Sequence, residues 1–145
     1  MNNEQLKLEN QLCFPVYAAS RLITRAYHPY LQSLRITYPQ YLVLMLLWEQ
    51  DTQPVNTIAK KLVLNTNTIT PLLKRMEQLC LIVRKRSETD ERQVMISLTE
   101  KGQDLKQKAS QIPQKMAEKL LKSNLNETDL LEMKKNLQAI ICLLA

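Results

Sequence analysis

Glycine is almost missing: the chain of 145 residues holds one, Gly102, where a globular domain carries about 7%. Tight hairpin turns and left-handed helix ends draw on glycine's freedom at positive φ. Few positions are left for either, and a mainly α fold is expected. Histidine also occurs once, as His28, and Cys13, Cys80 and Cys142 are odd in number, far apart and without a C-x-x-C pair. Neither a disulfide framework nor a zinc site fits that set, so no metal or cofactor is expected and each thiol needs its own account. The opening MNNEQLKLEN lacks a cationic stretch followed by an apolar run, so neither a signal peptide nor a membrane span is expected, and the cytoplasm is the expected location.

Acidic residues are outnumbered, 14 against 20 Lys and Arg, for a net charge of +6 and a pI near 9.3. That balance favours a polyanionic partner, nucleic acid or an anionic membrane surface. The length suits one domain, 1–145, with no repeat or linker. Apolar spacing predicts a helix from about Asn10 to Tyr30; Pro15 is tolerated in a first turn but not in a helix interior, so the helix either starts near Gln11 or kinks there. In TYPQYLVLMLLWEQ, Thr37, Pro39 and Gln40 form a helix start with a capping box, and the apolar run from Tyr41 to Trp48 reads as a buried central helix. Two short helices follow in PVNTIAKKLVL and NTNTITPLLKRMEQL. Then come β-type runs at Leu81–Arg84 and Val94–Leu98 around a charged loop, and these are the only hairpin expected. Thr99 caps a polar helix to about Lys122, interrupted at Pro113. The N-E-T at 126–128 reads as a helix cap, with Asn126 and Asp129 opening the last helix.

At helical periodicity, NTNTITPLLKRMEQL puts Ile69, Leu72, Leu73, Met76 and Leu79 on one face, and Asn67, Thr70, Pro71, Lys74 and Gln78 on the other. Thr66, Asn67, Thr68 and Thr70 offer hydroxyls and an amide to base edges or phosphates. Lys74 and Arg75 can neutralise phosphates, and the Pro71 ring can pack on a thymine methyl. Pro71 lacks an N–H and is expected close to the helix start, the end that enters a groove. An ordinary solvated face would look the same in isolation. The next segment, RKRSETDER, adds Arg84, Lys85, Arg86 and Arg92 directly after the helix pair, so helix and loop can grip one duplex. Arg92 suits the minor groove, with Asp90 expected to orient its guanidinium by a bidentate pair.

From Pro54 to Gly102, with LLKRMEQ, the D-E-R of the loop and the SLTEKG after it, the chain resembles the winged helix-turn-helix of MarR-type transcriptional regulators. The resemblance covers nearly the whole chain. It implies a winged helix-turn-helix over about 37–99, a homodimer whose terminal helices, about 10–31 and 100–145, intertwine, and a double-stranded pseudo-palindromic operator read by two helices about 34 Å apart. LENQLCFPVYAASR with ITYPQYLVLMLLWE further resembles the peroxide-sensing OhrR branch. That likeness implies a redox-sensing thiol at Cys13, with Tyr27 and Tyr38 of the other subunit as its hydrogen-bond partners.

The chemistry stands on its own terms. A sensor thiol must be part thiolate near neutral pH, against an ordinary pKa of about 8.5, and phenol O–H groups aimed at sulfur stabilise the anion. An organic hydroperoxide then gives a sulfenic acid, which either condenses with a second thiol, Cys142 across the interface or a small thiol, or over-oxidises. The expected function is a repressor that leaves DNA on oxidation, with no catalytic cluster and no membrane partner. The rivals are a MarR-type regulator answering phenolic ligands with Cys13 incidental, a thiol peroxidase, and a membrane-surface adaptor. Cys80, placed where a left-handed cap would suit glycine, is read as structural, and His28 as a surface or interface residue.

Overall fold

The computed structural model describes residues 3–145. After two 3-10 turns at Glu4–Leu6 and Leu8–Asn10, seven helices follow: α1 (Cys13–Ser33), α2 (Tyr38–Glu49), α3 (Val55–Lys61), α4 (Thr66–Gln78), α5 (Glu100–Ala109), α6 (Ile112–Leu121) and α7 (Glu127–Leu144). Three strands, β1 (Gln53–Pro54), β2 (Ile82–Arg86) and β3 (Val94–Leu98), form one antiparallel sheet in the order β1-β3-β2. This is a winged helix-turn-helix with long helices at both ends. None of its described helices is long and apolar enough to cross a membrane.

Local chemistry sets the helix starts. Helix α1 begins at Cys13, not near Asn10, so Pro15 is its third residue, where the missing N–H is one of the unpaired four in any case. Thr37 and Gln40 close the predicted capping box on α2, with the Thr37 N–H donating to Gln40 Oε1 at 2.9 Å. The Asn126–Asp129 box is likewise reciprocal, at 2.8 and 3.0 Å. The polar helix after Thr99 breaks at Ser110–Gln111, and Pro113 lies in the first turn of α6.

Scarcity of glycine does not remove left-handed turns, contrary to expectation. Arg35, Val63 and Cys80 hold φ of 56°, 55° and 57° just after α1, α3 and α4. Each sits in the same double-bonded helix ending: Ile36, Leu64 and Leu81 donate back to Leu31, Ala59 and Met76 at 3.1, 2.9 and 3.0 Å. Two recovered carbonyl bonds at each turn, with an apolar residue just beyond it that is buried for Ile36 and Leu81 and half-buried for Leu64, offset the cost of about 1–2 kcal/mol for a Cβ in this conformation.

The core gathers Leu31, Val43, Leu44, Leu47, Ile58, Ile69, Leu73, Met76, Ile82 and Ile96, so α2 is the buried centre, with α3, α4 and the sheet around it. The β1 strand escapes sequence detection because two residues carry no periodicity. Its Gln53 is 2% exposed and satisfied, donating to Leu46 O at 2.9 Å and accepting from Lys61 Nζ at 3.1 Å. Gly102 keeps α5 against the sheet: a Cβ there would overlap the Leu81 carbonyl oxygen, and its own carbonyl accepts from Trp48 Nε1 at 2.9 Å. Gly102→Ala is expected to destabilise the fold by about 1–3 kcal/mol, read as a lower urea midpoint.

Candidate functional site

Helix α4 and the β2–β3 wing form one polar, basic surface. Asn65 caps α4, its Oδ1 accepting from the Thr68 N–H at 3.0 Å and from the Thr68 hydroxyl at 3.1 Å. Thr66, Asn67, Thr68, Pro71, Lys74 and Arg75 are exposed and Thr70 is half-buried, while Ile69, Leu73 and Met76 anchor the opposite face. Three expectations need correction. Leu79 is 39% exposed, because the helix ends at Gln78 and turns away from the core. Pro71 is the sixth residue of α4, not a member of its first turn, and its missing N–H leaves the Asn67 carbonyl without a helical partner on the outer face. Asp90 accepts from the backbone N–H of Arg92 at 3.0 Å, and no ion pair joins the two side chains among the described residues. The carboxylate therefore shapes the loop, together with Ser87 Oγ, which accepts from Asp90 N at 3.3 Å, and leaves the Arg92 guanidinium free. A wing without glycine needs such side-chain bonds to turn.

Between α4 and the wing lies a cleft of about 180 Å³ lined by Asn56, Thr70, Arg84, Arg92 and Gln93. Arg84 is partly buried, with Nε 3.8 Å from Glu77 Oε2 and no hydrogen-bond partner. That pair ties the end of α4 to the root of the wing, and 84's role has no signal in local spacing because the partners meet only after folding. Arg86 is exposed at the end of β2.

The second constellation is at the other side of α2. Cys13 is exposed at the first position of α1. Tyr27 and Tyr38 pack with ring centroids 4.8 Å apart and planes tilted by 48°, and Tyr41, missed in sequence, completes the cluster at 6.0 and 6.4 Å. Burial raises the pKa of all three phenols, and proximity to Tyr38 raises that of Tyr27 further. They remain O–H donors at neutral pH. Cys13 and Tyr27 are fourteen residues apart on one helix, about 21 Å at 1.5 Å per residue, so within a single chain the thiol and the phenols are not together. Cys142 is exposed near the end of α7, and Cys80 is exposed at its left-handed turn.

The raised phenols give a pH signature. Each is protonated in the folded state above the ordinary tyrosine pKa of about 10, so its contribution to stability is complete below that pH and is lost as pH climbs through the raised value. Alkaline unfolding midpoints should fall above pH of about 10, and Tyr41→Phe should soften that fall. The same slope in the variant would show that the cluster is not its source.

Residues 25–109 match the family described as transcriptional regulator SarA/Rot. The organic hydroperoxide resistance transcriptional regulator of Bacillus subtilis is 59% identical over 110 residues, 76% of this chain and 75% of its own. The reduced, DNA-bound structure of AbfR from Staphylococcus epidermidis superposes with a TM-score of 0.78 at 36% identity, over 100% of both chains. An overoxidized AbfR, also bound to DNA, gives 0.76 at 39%, covering 99% of this chain and 100% of AbfR. A disulfide form gives 0.62 at 40%, over 97% of each. With the family match spanning more than half of the chain and its fold shared with these regulators, the chain belongs to the SarA/Rot family of transcriptional regulators, DNA-binding proteins of the MarR-type winged helix-turn-helix class.

Proposed function

We propose that the chain is a homodimeric repressor of the organic-hydroperoxide-sensing branch, holding a pseudo-palindromic operator while Cys13 is reduced and leaving it after oxidation. One observation carries the reading: Tyr27 and Tyr38 form a protonated, half-buried pair that Cys13 of the same chain lies too far along α1 to reach. A second subunit supplies the thiol. The apolar residues left uncovered around Cys13, among them Leu12, Phe14 and Val16, support such a contact.

The thiolate attacks the terminal oxygen of the hydroperoxide. An S–O bond forms as the O–O bond breaks, sulfur loses two electrons, and the departing alkoxide takes a proton from water. The sulfenic acid then loses water to a second thiol, giving a disulfide with Cys142 of the partner subunit or with a small thiol. AbfR is found on DNA even when overoxidized, which favours the bulkier disulfide over added oxygen alone as the releasing state. A group of that size on sulfur displaces the phenols, and Tyr38 is the first residue of α2, so the DNA-reading lobe moves with it. On the DNA side, Thr66, Asn67, Thr68, Thr70 and Pro71 read the major groove, Lys74, Arg75 and Arg86 hold phosphates, and Arg92 enters the minor groove with its loop shaped by Asp90.

The test is a mobility-shift titration of the operator complex with hydroperoxide, each point followed by intact mass. Release in step with a disulfide-linked dimer or a small-thiol adduct is expected. Full adduct formation with the complex intact would overturn the reading.

A further inference from the structure

Asn65, Thr66, Asn67 and Thr68 open α4, and hydrogen bonding sorts them. Asn65 Oδ1 accepts from the Thr68 N–H at 3.0 Å and from the Thr68 hydroxyl at 3.1 Å. The cap amide thus has both lone pairs of its oxygen committed, and Thr68 has spent its one side-chain donor. Among the described residues, the side chains of Thr66 and Asn67 make no hydrogen bond within the chain, and both are exposed. Asn67 is therefore the amide in the first turn of α4 with donor and acceptor both free. Gln78, the other amide of this helix, lies eleven residues further on, about 16 Å at 1.5 Å per residue, whereas the N-terminal turn of such a helix is the part that meets base edges.

In the major groove a planar amide makes two hydrogen bonds to one base only. Adenine presents its N6 amine as a donor beside the N7 acceptor, guanine presents two acceptors, cytosine one donor, and thymine one acceptor with a methyl group. The neighbouring hydroxyls discriminate less, since each donates or accepts and so pairs with any base. Asn carries its amide on a single methylene, so the position of the helix fixes which base it meets. We propose that Asn67 is the residue that sets operator specificity, through a bidentate pair with one adenine in each half-site, its Oδ1 accepting from N6 and its Nδ2 donating to N7. The inference rests on the proposed reading of the major groove by α4 and adds the base that is selected.

The test begins with the reduced full-length protein and duplexes selected from a random pool. In the selected operator, each adenine of a half-site is replaced singly by 7-deazaadenine, which lacks the N7 acceptor, and by purine, which lacks the N6 amine. One adenine should respond to both, each replacement lowering affinity by about tenfold. With Asn67→Ala the same replacements should cost nothing further, as a double-mutant cycle requires of a direct contact. Asn67 is exposed and alanine favours a helix, so the variant is expected to fold, checked by circular dichroism. Asn67→Asp keeps the acceptor and loses the donor, and should select cytosine at that position. A merely structural role for Asn67 would produce no such change of base. No adenine responding to both replacements, a response that survives Asn67→Ala, or adenine still selected by Asn67→Asp would overturn the assignment while leaving DNA binding intact. A reduced protein that enriches no sequence from the pool would overturn the operator-reading function as well.

Discussion

Replacing Cys13 with serine is expected to abolish release from the operator by organic hydroperoxide while leaving reduced-state affinity within about twofold. The second half follows from shape: a serine hydroxyl is close in size to a thiol and accepts from the same phenol O–H groups, so the proposed reduced-state contact across the interface is kept. The first half follows from chemistry, because a hydroxyl at that point is not a peroxide nucleophile and forms no disulfide. Release by a factor of about 1,000 requires about 4 kcal/mol. A single local clash reaches that figure only by tipping a dimer between two arrangements. Mobility shifts with and without hydroperoxide measure both halves. Undiminished release from the serine protein would favour a regulator answering a phenolic ligand, and steady peroxide turnover with a thiol reductant in the parent protein would favour a peroxidase.

What the sequence disclosed divides by range. Helix starts were legible because a cap is a contact between neighbours: Thr37 with Gln40, Asn126 with Asp129, and Thr99, whose hydroxyl accepts from Gly102 N at 3.0 Å. The outer face of α4 was legible because burial of Ile69, Leu73 and Met76 follows helical period. Helix ends were less so: the left-handed turn at Cys80 was legible, but those at Arg35 and Val63 were not, since the bonds that hold them are to backbone and any residue can make them. Contacts that form only after folding had no local trace, as with Arg84 and Glu77 across the wing root, or Trp48 and Gly102. Asp90 was misassigned for a related reason: a carboxylate two residues before an arginine can bond its main chain or its side chain, and loop geometry decides. For the thiol site, Cys13, Tyr27 and Tyr38 were named from a family likeness. Their placement on different subunits came with that likeness, and the packing of Tyr41 against both phenols emerged only in three dimensions.

The other large effect is expected from α7. None of its 18 residues is buried, and Leu131, Ile140, Ile141, Leu143 and Leu144 stand 66%, 46%, 49%, 83% and 78% exposed. Leu12, Phe14, Val16 and Leu22 of the N-terminal arm are similarly bare. Large apolar side chains exposed in this number are what a subunit contact covers, and in the proposed homodimer these faces form the interface. Ile141→Glu with Leu144→Glu would place two carboxylates inside that interface, unpaired and desolvated, a penalty of several kcal/mol per ion. Sedimentation should then report monomers at concentrations where the parent protein is dimeric. Operator affinity should fall by about 100- to 10,000-fold, because the second recognition helix is no longer delivered at the effective concentration that tethering provides. Affinity for a half-site oligonucleotide should hold, since the core around α2, α3 and α4 does not draw on α7. Dimers with full operator affinity despite both glutamates would place the interface elsewhere, and with it the route by which a partner's Cys13 reaches Tyr27 and Tyr38.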